Sequence, residues 1–322
     1  MQQNHSKNLI KEQWEVNDIP DQGGKTAVVT GGNSGLGYEV SKSLASKGAQ
    51  VILACRNLDK GREAIEKIDG DAPPHVMQLD LADLSSIRLF CDEFLKKHQS
   101  LHMLFNNAGV MQAPQLRTID GFELQLGTNH LGHFALTGLL LKRILGTEGS
   151  RIITVSSGAH RTGNIDFNDI MKEKKYGRLA AYAQSKLANL LFAYELQRRL
   201  DLLGSSTISV AAHPGYAATN LQTTGPGMGG GWGYTTLYKV TNKLLAQSAL
   251  MGALPMLYAA TAKDVKGGDY YGPGSLGGMR GYPKLGESNE KSHDENLGRQ
   301  LWERSVELTK VGYEELLSSK SH

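Results

Sequence analysis

Cysteine is scarce in this sequence. The 322 residues contain Cys55 and Cys91 and no other thiol. Two cysteines do not make a disulfide framework, and neither sits in a Cys-x-x-Cys or Cys/His cluster. Both read as core thiols of a protein in the reducing cytoplasm. Long apolar runs are also missing. No stretch of about 18 apolar residues occurs, so no membrane-spanning helix is expected. The polar segment 1–22 has no apolar core and reads as neither signal peptide nor anchor. Runs of one charge are missing as well. The densest basic segment, Lys172-Glu173-Lys174-Lys175, reads as a solvated loop or helix end. With a formal net charge of +3 and no basic face, nucleic acid is not an expected partner. What remains is an ordinary balance of 40% hydrophobic and 21% charged residues. A chain of this length and balance buries a core without metal or disulfide support.

Within that plain background, Tyr182-Ala183-Gln184-Ser185-Lys186 stands out. It lies in a segment patterned as a helix, about Leu179 to Leu203, where positions i and i+4 share a face. The phenol and the amine therefore reach the same place. A free phenol, with a pKa of about 10, is a poor proton donor or acceptor at neutral pH. A neighbouring cation is expected to pull that value down. A lone Tyr-x-x-x-Lys spacing also arises by chance, so the remaining chain must support it.

The remaining chain alternates strands and helices. Lys25 to Thr30 is a short apolar run typical of a buried parallel strand. It leads into Gly31-Gly32-Asn33-Ser34-Gly35-Leu36-Gly37 and then a helix that stops at Gly48. Strand, glycine turn and helix is the context in which such glycines hold a pyrophosphate on a helix N-terminus; a plain loop of small residues is the other reading. A second strand ends at Cys55 and Arg56, where dinucleotide folds usually carry an acid for the ribose 2′-hydroxyl. A guanidinium there suits a 2′-phosphate and favours NADP(H) over NAD(H); a surface arginine is the alternative. Asp80 and Leu81 close the third strand, where Asp80 could meet an adenine or cap the next helix. Asn107-Ala108-Gly109 closes the fourth strand and lets a flat ring approach the backbone. His130 and His133 lack the further ligands that a metal site needs. Ser156-Ser157 ends the fifth strand. His213-Pro214-Gly215 precedes a glycine-rich stretch, 225–233, that reads as a lid or a surface loop. The expected fold is α/β, a single Rossmann-type doubly wound parallel sheet of about seven strands with a C-terminal helical tail. Segment 1–22 is a polar extension anchored by Trp14. Segment 23–272 carries the dinucleotide-binding and catalytic domain, and 273–322 a glycine-rich stretch and terminal helix on the same domain.

Taken together, Thr30 to Gly37, Asn106 to Gly109, Asn129, Ser157, Tyr182 to Lys186 and Pro214-Gly215 resemble, in order, the motifs of the short-chain dehydrogenase/reductase family. Leu53-Ala54-Cys55-Arg56-Asn57 and Thr128 to Phe134 resemble its retinol dehydrogenase and WW-domain oxidoreductase branch, and also protochlorophyllide reductase. The resemblance implies hydride transfer between NADPH and a carbonyl or alcohol of an apolar substrate. It implies that Ser157 holds the oxygen, Tyr182 moves the proton, Lys186 tunes Tyr182 and binds the ribose, and Asn129 holds a relay water. Thr219 would touch the nicotinamide amide or diphosphate. The spacing from Ser157 to Tyr182 is wider than is usual in the family, and the extra residues, about 161–178, are expected to shape the substrate entrance. A homodimer is implied, with monomers also known in this branch. Two other readings stay open: a non-catalytic NADPH-binding sensor or scaffold, and a carbon–carbon double-bond reductase.

Overall fold

The computed structural model describes residues 13–69, 73–217 and 247–316. The apolar runs become the strands β1 (Thr26–Thr30), β2 (Gln50–Cys55), β3 (His75–Gln78), β4 (Met103–Asn106), β5 (Arg151–Val155), β6 (Ile208–Ala212), β7 (Tyr270–Ser275) and β8 (Arg280–Leu285). They form one sheet in the order β3-β2-β1-β4-β5-β6-β7-β8. The first seven run parallel, and only β8 pairs antiparallel, with β7. Eight strands rather than about seven result because the segment expected to be a glycine-rich tail returns as a hairpin strand.

Between the strands lie α1 (Gly35–Ala45), α2 (Leu58–Ile65), α3 (Leu84–Lys97), the short α4 (Leu124–Leu126), α5 (Gly132–Leu145), α6 (Arg178–Leu203), α7 (Ala249–Thr261) and α8 (Glu295–Thr309). Both faces of the inner strands are buried, as in β1, where all five residues are inside. One face packs on α1, α2 and α7 through Val40, Leu44, Ala64, Leu254 and Leu257. Trp14 joins that core edge-on to Tyr258, with ring centroids 5.1 Å apart, so the expected anchor is in place. The other face packs on α3, α5 and α6 through Phe90, Phe94, Phe134, Leu140 and Phe192. Trp302 of α8 stacks on Phe192 with centroids 5.9 Å apart. No helix among the described residues is long and apolar enough to cross a membrane.

The strand order reverses direction between β1 and β4. In an open parallel sheet the crevice at that switch point, beyond the carboxyl ends of the strands, is where a ligand fits. Five of the singled-out motifs sit at such ends: Gly31 to Gly37 after β1, Arg56 after β2, Asp80 after β3, Asn107 to Gly109 after β4, and Ser156-Ser157 after β5; Tyr182 and Lys186 come from α6.

Candidate active site

A cavity of about 510 Å³ opens at the switch point. Its floor is the glycine turn, with Gly31, Asn33, Ser34, Gly35, Leu36 and Gly37 all lining it. Gly31 and Gly35 take positive φ, 64° and 53°. At Gly37 a Cβ would stand 2.4 Å from the Gly31 carbonyl oxygen, so α1 lies directly against the turn. Ser34 is the N-cap of α1, yet its side chain makes no capping bond. The first N–H groups of α1 thus face the cavity without a side-chain acceptor, which suits a diphosphate.

Arg56, Asp80, Leu81, Asn107, Ala108 and Gly109 continue the wall. Arg56 is exposed at the rim. Asp80 does not cap α3; Asp83 does, accepting from the Ser85 and Ser86 N–H groups. One Asp80 oxygen accepts from Ala82 N at 2.9 Å. Asn107 is held from behind: Thr30 Oγ1 accepts from the N–H groups of Asn107 and Ala108, both at 2.9 Å. Asn107 Nδ2 in turn donates to Thr30 O at 2.7 Å.

Tyr182, Lys186 and Pro214 line the far end, together with Ser156. The α6 face carrying them is buried, and Lys186 is 3% exposed. Its Nζ donates to Val155 O at 3.1 Å and lies 5.8 Å from the Tyr182 ring centroid. Burial pushes the Lys186 amine down to about 8. Burial also pushes the Tyr182 phenol up, to about 12, partly opposed by its hydrogen bond with Ser157. In the protein alone the phenol therefore moves opposite to the direction expected from its lysine neighbour. Desolvation of the phenolate outweighs the nearby amine, whose own charge burial weakens.

The two serines separate cleanly. Ser156 Oγ donates to Lys186 O at 2.8 Å and serves to fasten α6 to β5. Ser157 is not among the cavity-lining residues; it caps the turn Gly158–Thr162, its Oγ accepting from the Ala159 N–H at 3.3 Å.

Asn129 does not line the cavity. It is fully buried behind the Gly109-Val110 wall, on a π-turn, Gly127–Leu131, that leads into α5. Its amide is engaged throughout: Nδ2 donates to Val110 O and Ser185 Oγ, both at 2.9 Å, and Oδ1 accepts from Val110 N at 2.7 Å. Ser185 precedes Lys186 on α6, so Asn129 ties the cavity wall to the lysine. Gly215 stands outside the cavity lining, with φ 65° against the β7–β8 hairpin. Thr219 and the glycine stretch 225–233 lie outside the described residues.

Several wall residues carried no signal in the sequence. Val110, Met111, Leu116, Leu124 and Thr128 also line the cavity. They lie on the 110–128 segment, whose shape depends on distant partners. Tyr176 donates to Ala113 O at 2.8 Å, Arg117 pairs with Glu173 at 2.6 Å, and Glu123 N–H donates to Met171 Sδ at 3.3 Å. The extra residues after Ser157 thus brace this wall. Tyr176, with Ala180 four residues on, is a structural phenol. The Thr128 hydroxyl makes no hydrogen bond within the described residues; an unpartnered hydroxyl on the wall is a signal that only the structure gives. Among the described residues no group of His, Cys, Asp and Glu is arranged to hold a metal.

The short chain dehydrogenase family profile matches residues 25–226. Retinol dehydrogenase 13 of Homo sapiens is 41% identical over 297 residues, which span 90% of this chain and 86% of that one. Retinol dehydrogenase 11 of Mus musculus is 49% identical over 201 residues, 62% of this chain. That alignment spans 63% of the mouse protein, under two thirds of its length. A crystal structure of an uncharacterised protein from Mycobacterium Paratuberculosis superimposes with a TM-score of 0.78 and 41% identity, covering 94% of this chain and 99% of its own. The uncapped helix end over a glycine turn, the buried tyrosine–lysine pair and these likenesses lead to one assignment: the chain belongs to the short-chain dehydrogenase/reductase family, in its retinol dehydrogenase-like branch, as an NAD(P)-dependent oxidoreductase acting on CH–OH or C=O groups.

Proposed function

We propose that this enzyme prefers NADP(H) and interconverts an apolar carbonyl compound and its alcohol, with Tyr182, Ser157, Lys186 and Asn129 as its working residues. The observation that carries the reading is the pairing of Tyr182 with the buried Lys186, whose Nζ lies 5.8 Å from the Tyr182 ring centroid, at the end of a cavity floored by the glycine turn. The glycine turn and the α1 N-terminus would hold the diphosphate, Arg56 the 2′-phosphate, Asp80 and Leu81 the adenine side, and Pro214, Gly215 and Thr219 the nicotinamide end. The chemistry supplied by the bound nicotinamide is a hydride to or from the carbon of the C–O bond.

Ser157 donates a hydrogen bond to the substrate oxygen and fixes it against Tyr182. Tyr182 gives its proton to that oxygen as negative charge develops there. A phenol held at about 12 is protonated at neutral pH, so in the resting protein Tyr182 carries the proton that reduction requires. Lys186, still largely protonated at pH 7 with a pKa of about 8, neutralises the phenolate and returns the proton. Asn129, its side chain engaged by Val110 and Ser185, holds the cavity wall to the turn of α6 that carries Lys186 and is the residue assigned to the relay water.

An apolar substrate is supported by Val110, Met111, Leu116 and Leu124 on the wall, and by the names of the relatives. The buried free thiols support a cytoplasmic setting, and the family likeness a homodimer.

The test is Tyr182→Phe assayed with NADPH against retinal, medium-chain aldehydes and aromatic ketones. Turnover falls by about 10²- to 10⁴-fold, while NADPH still quenches protein fluorescence. Full activity in this variant would remove Tyr182 from the mechanism. NADPH binding without turnover of any carbonyl by the parent protein would instead favour a sensor.

A further inference from the structure

Two histidines flank Asn129 in the segment Asn129-His130-Leu131-Gly132-His133, and the mechanism uses neither. His130 points to α8, where its Nε2 meets Ser305 Oγ at 2.9 Å. His133 points the other way, into the space between the π-turn and the cofactor floor. Its Nδ1 lies 2.9 Å from the Asn129 carbonyl oxygen, and its Nε2 lies 2.9 Å from Thr30 Oγ1.

These partners fix the ring. A carbonyl oxygen only accepts, so Nδ1 carries the proton and donates it to Asn129 O. Nε2 of the neutral ring then accepts from the Thr30 hydroxyl. Phe105 O, 3.1 Å from Thr30 Oγ1, competes for that hydrogen. His133 is 1% exposed, and burial holds it neutral, at about 4, with the Lys186 ammonium adding to the push. The π-turn matters here. Its Gly132 N–H bonds to Gly127 O, five residues back, so this turn leaves the ordinary i−4 ladder, and a ring N–H reaches the Asn129 carbonyl.

We propose that His133 is a positioning residue for this reaction: its neutral ring couples the Asn129 carbonyl, on the residue whose side chain is tied to Ser185 next to Lys186, to the Thr30 hydroxyl that holds the Asn107-Ala108 stretch of the cavity wall. The two halves of the site, proton relay and cofactor floor, are then set by one side chain. His133 does not line the cavity and touches no reacting atom, so it acts only through these neighbours. The inference rests on the assignment of Asn129, Tyr182 and Lys186 made under the proposed function.

The two ring nitrogens can be removed one at a time. In His133→Asn the side-chain amide stands where Nδ1 stood and keeps the donor to Asn129 O, while the Thr30 link is lost. In His133→Gln the amide oxygen stands where Nε2 stood and keeps the acceptor for Thr30, while the Asn129 link is lost. NADPH affinity is read by fluorescence titration. The rate and its pH profile are read with the best carbonyl substrate, and Tm is read for each variant. His133→Asn weakens NADPH binding about fivefold or more, with a smaller loss of kcat. His133→Gln lowers kcat about tenfold or more and moves the pH midpoint of kcat, with a smaller change in NADPH affinity. Thr30→Val, which leaves the histidine in place, follows the His133→Asn pattern and supplies the test should a histidine variant not fold. Equal losses of affinity and kcat that track Tm, or no loss in either variant, would overturn the proposal. Tyr182→Phe is measured alongside. Full turnover there sinks the underlying site assignment, whereas its inactivity with no split between the histidine variants sinks this inference alone.

Discussion

Arg56 shows what one residue can decide in this site. It stands exposed at the end of β2, on the cavity rim, and the strand residue before it is Cys55 rather than an acid. A guanidinium–phosphate contact at a partly wet site is worth about 1.5–3 kcal/mol, or roughly tenfold to a hundredfold in affinity. Arg56→Gln should weaken NADPH binding by that factor and barely alter NADH binding. Because the contact is exposed, the gap should shrink as salt rises. Titrating both cofactors at low and high ionic strength checks this, and an equal effect on the two would remove Arg56 from the role. Lys186 and Tyr182 teach a different lesson. Their spacing reveals that they meet, but the sign of the phenol's shift depends on burial, which spacing does not encode.

At the level of elements, the parallel strands and the helices between them were legible because each is a self-contained pattern. The strand ends inherited that clarity, so the glycine turn, Arg56, Asp80 and the Asn107-Ala108-Gly109 turn were found where they stand. Elements whose shape comes from partners were not legible. Arg280–Leu285 contains Gly281 and Pro283 and reads as loop, and it becomes a strand only through pairing with β7. The π-turn likewise has no composition of its own. The His133–Thr30 contact joins residues 103 positions apart, a distance no local pattern spans. Gly132 shows how tightly this region is fitted: a Cβ there would stand 2.4 Å from the Leu81 carbonyl oxygen. Gly132→Ala must push the start of α5 away from the Asp80-Leu81 wall. Overpacking of this kind costs about 1–3 kcal/mol. Its Tm should fall and NADPH affinity should fall with it; a variant with parental values of both would mean that α5 gives way without moving the wall.

The whole molecule carries an acid sensitivity set by its core. Burial holds His130 at about 3 and His133 at about 4, both below the free imidazole value of 6.5. Between those limits the unfolded chain takes up protons that the native state refuses. Stability is therefore complete above pH 6.5 and drains away as pH falls toward 4, by up to about 1.4 kcal/mol per pH unit for each histidine. Thermal melts of the cofactor-free protein from pH 8 to pH 4 should show Tm level above 6.5 and dropping below it. A Tm that stays level down to pH 4 would contradict neutral burial of these rings. A second property of the whole lies at the β8 rim of the sheet. Pro283 stands opposite Pro273, and the Gly286 N–H bonds back to Tyr270 O, so alternation along the strand turns the backbone of residue 283 outward. At that outward position a proline supplies no donor, and the exposed Lys284 beside it adds charge. Both features make strand-by-strand pairing of a second copy along this margin less favourable. Crowded at high concentration, the protein is thereby guarded along this edge against the runaway stacking that ends in fibrils.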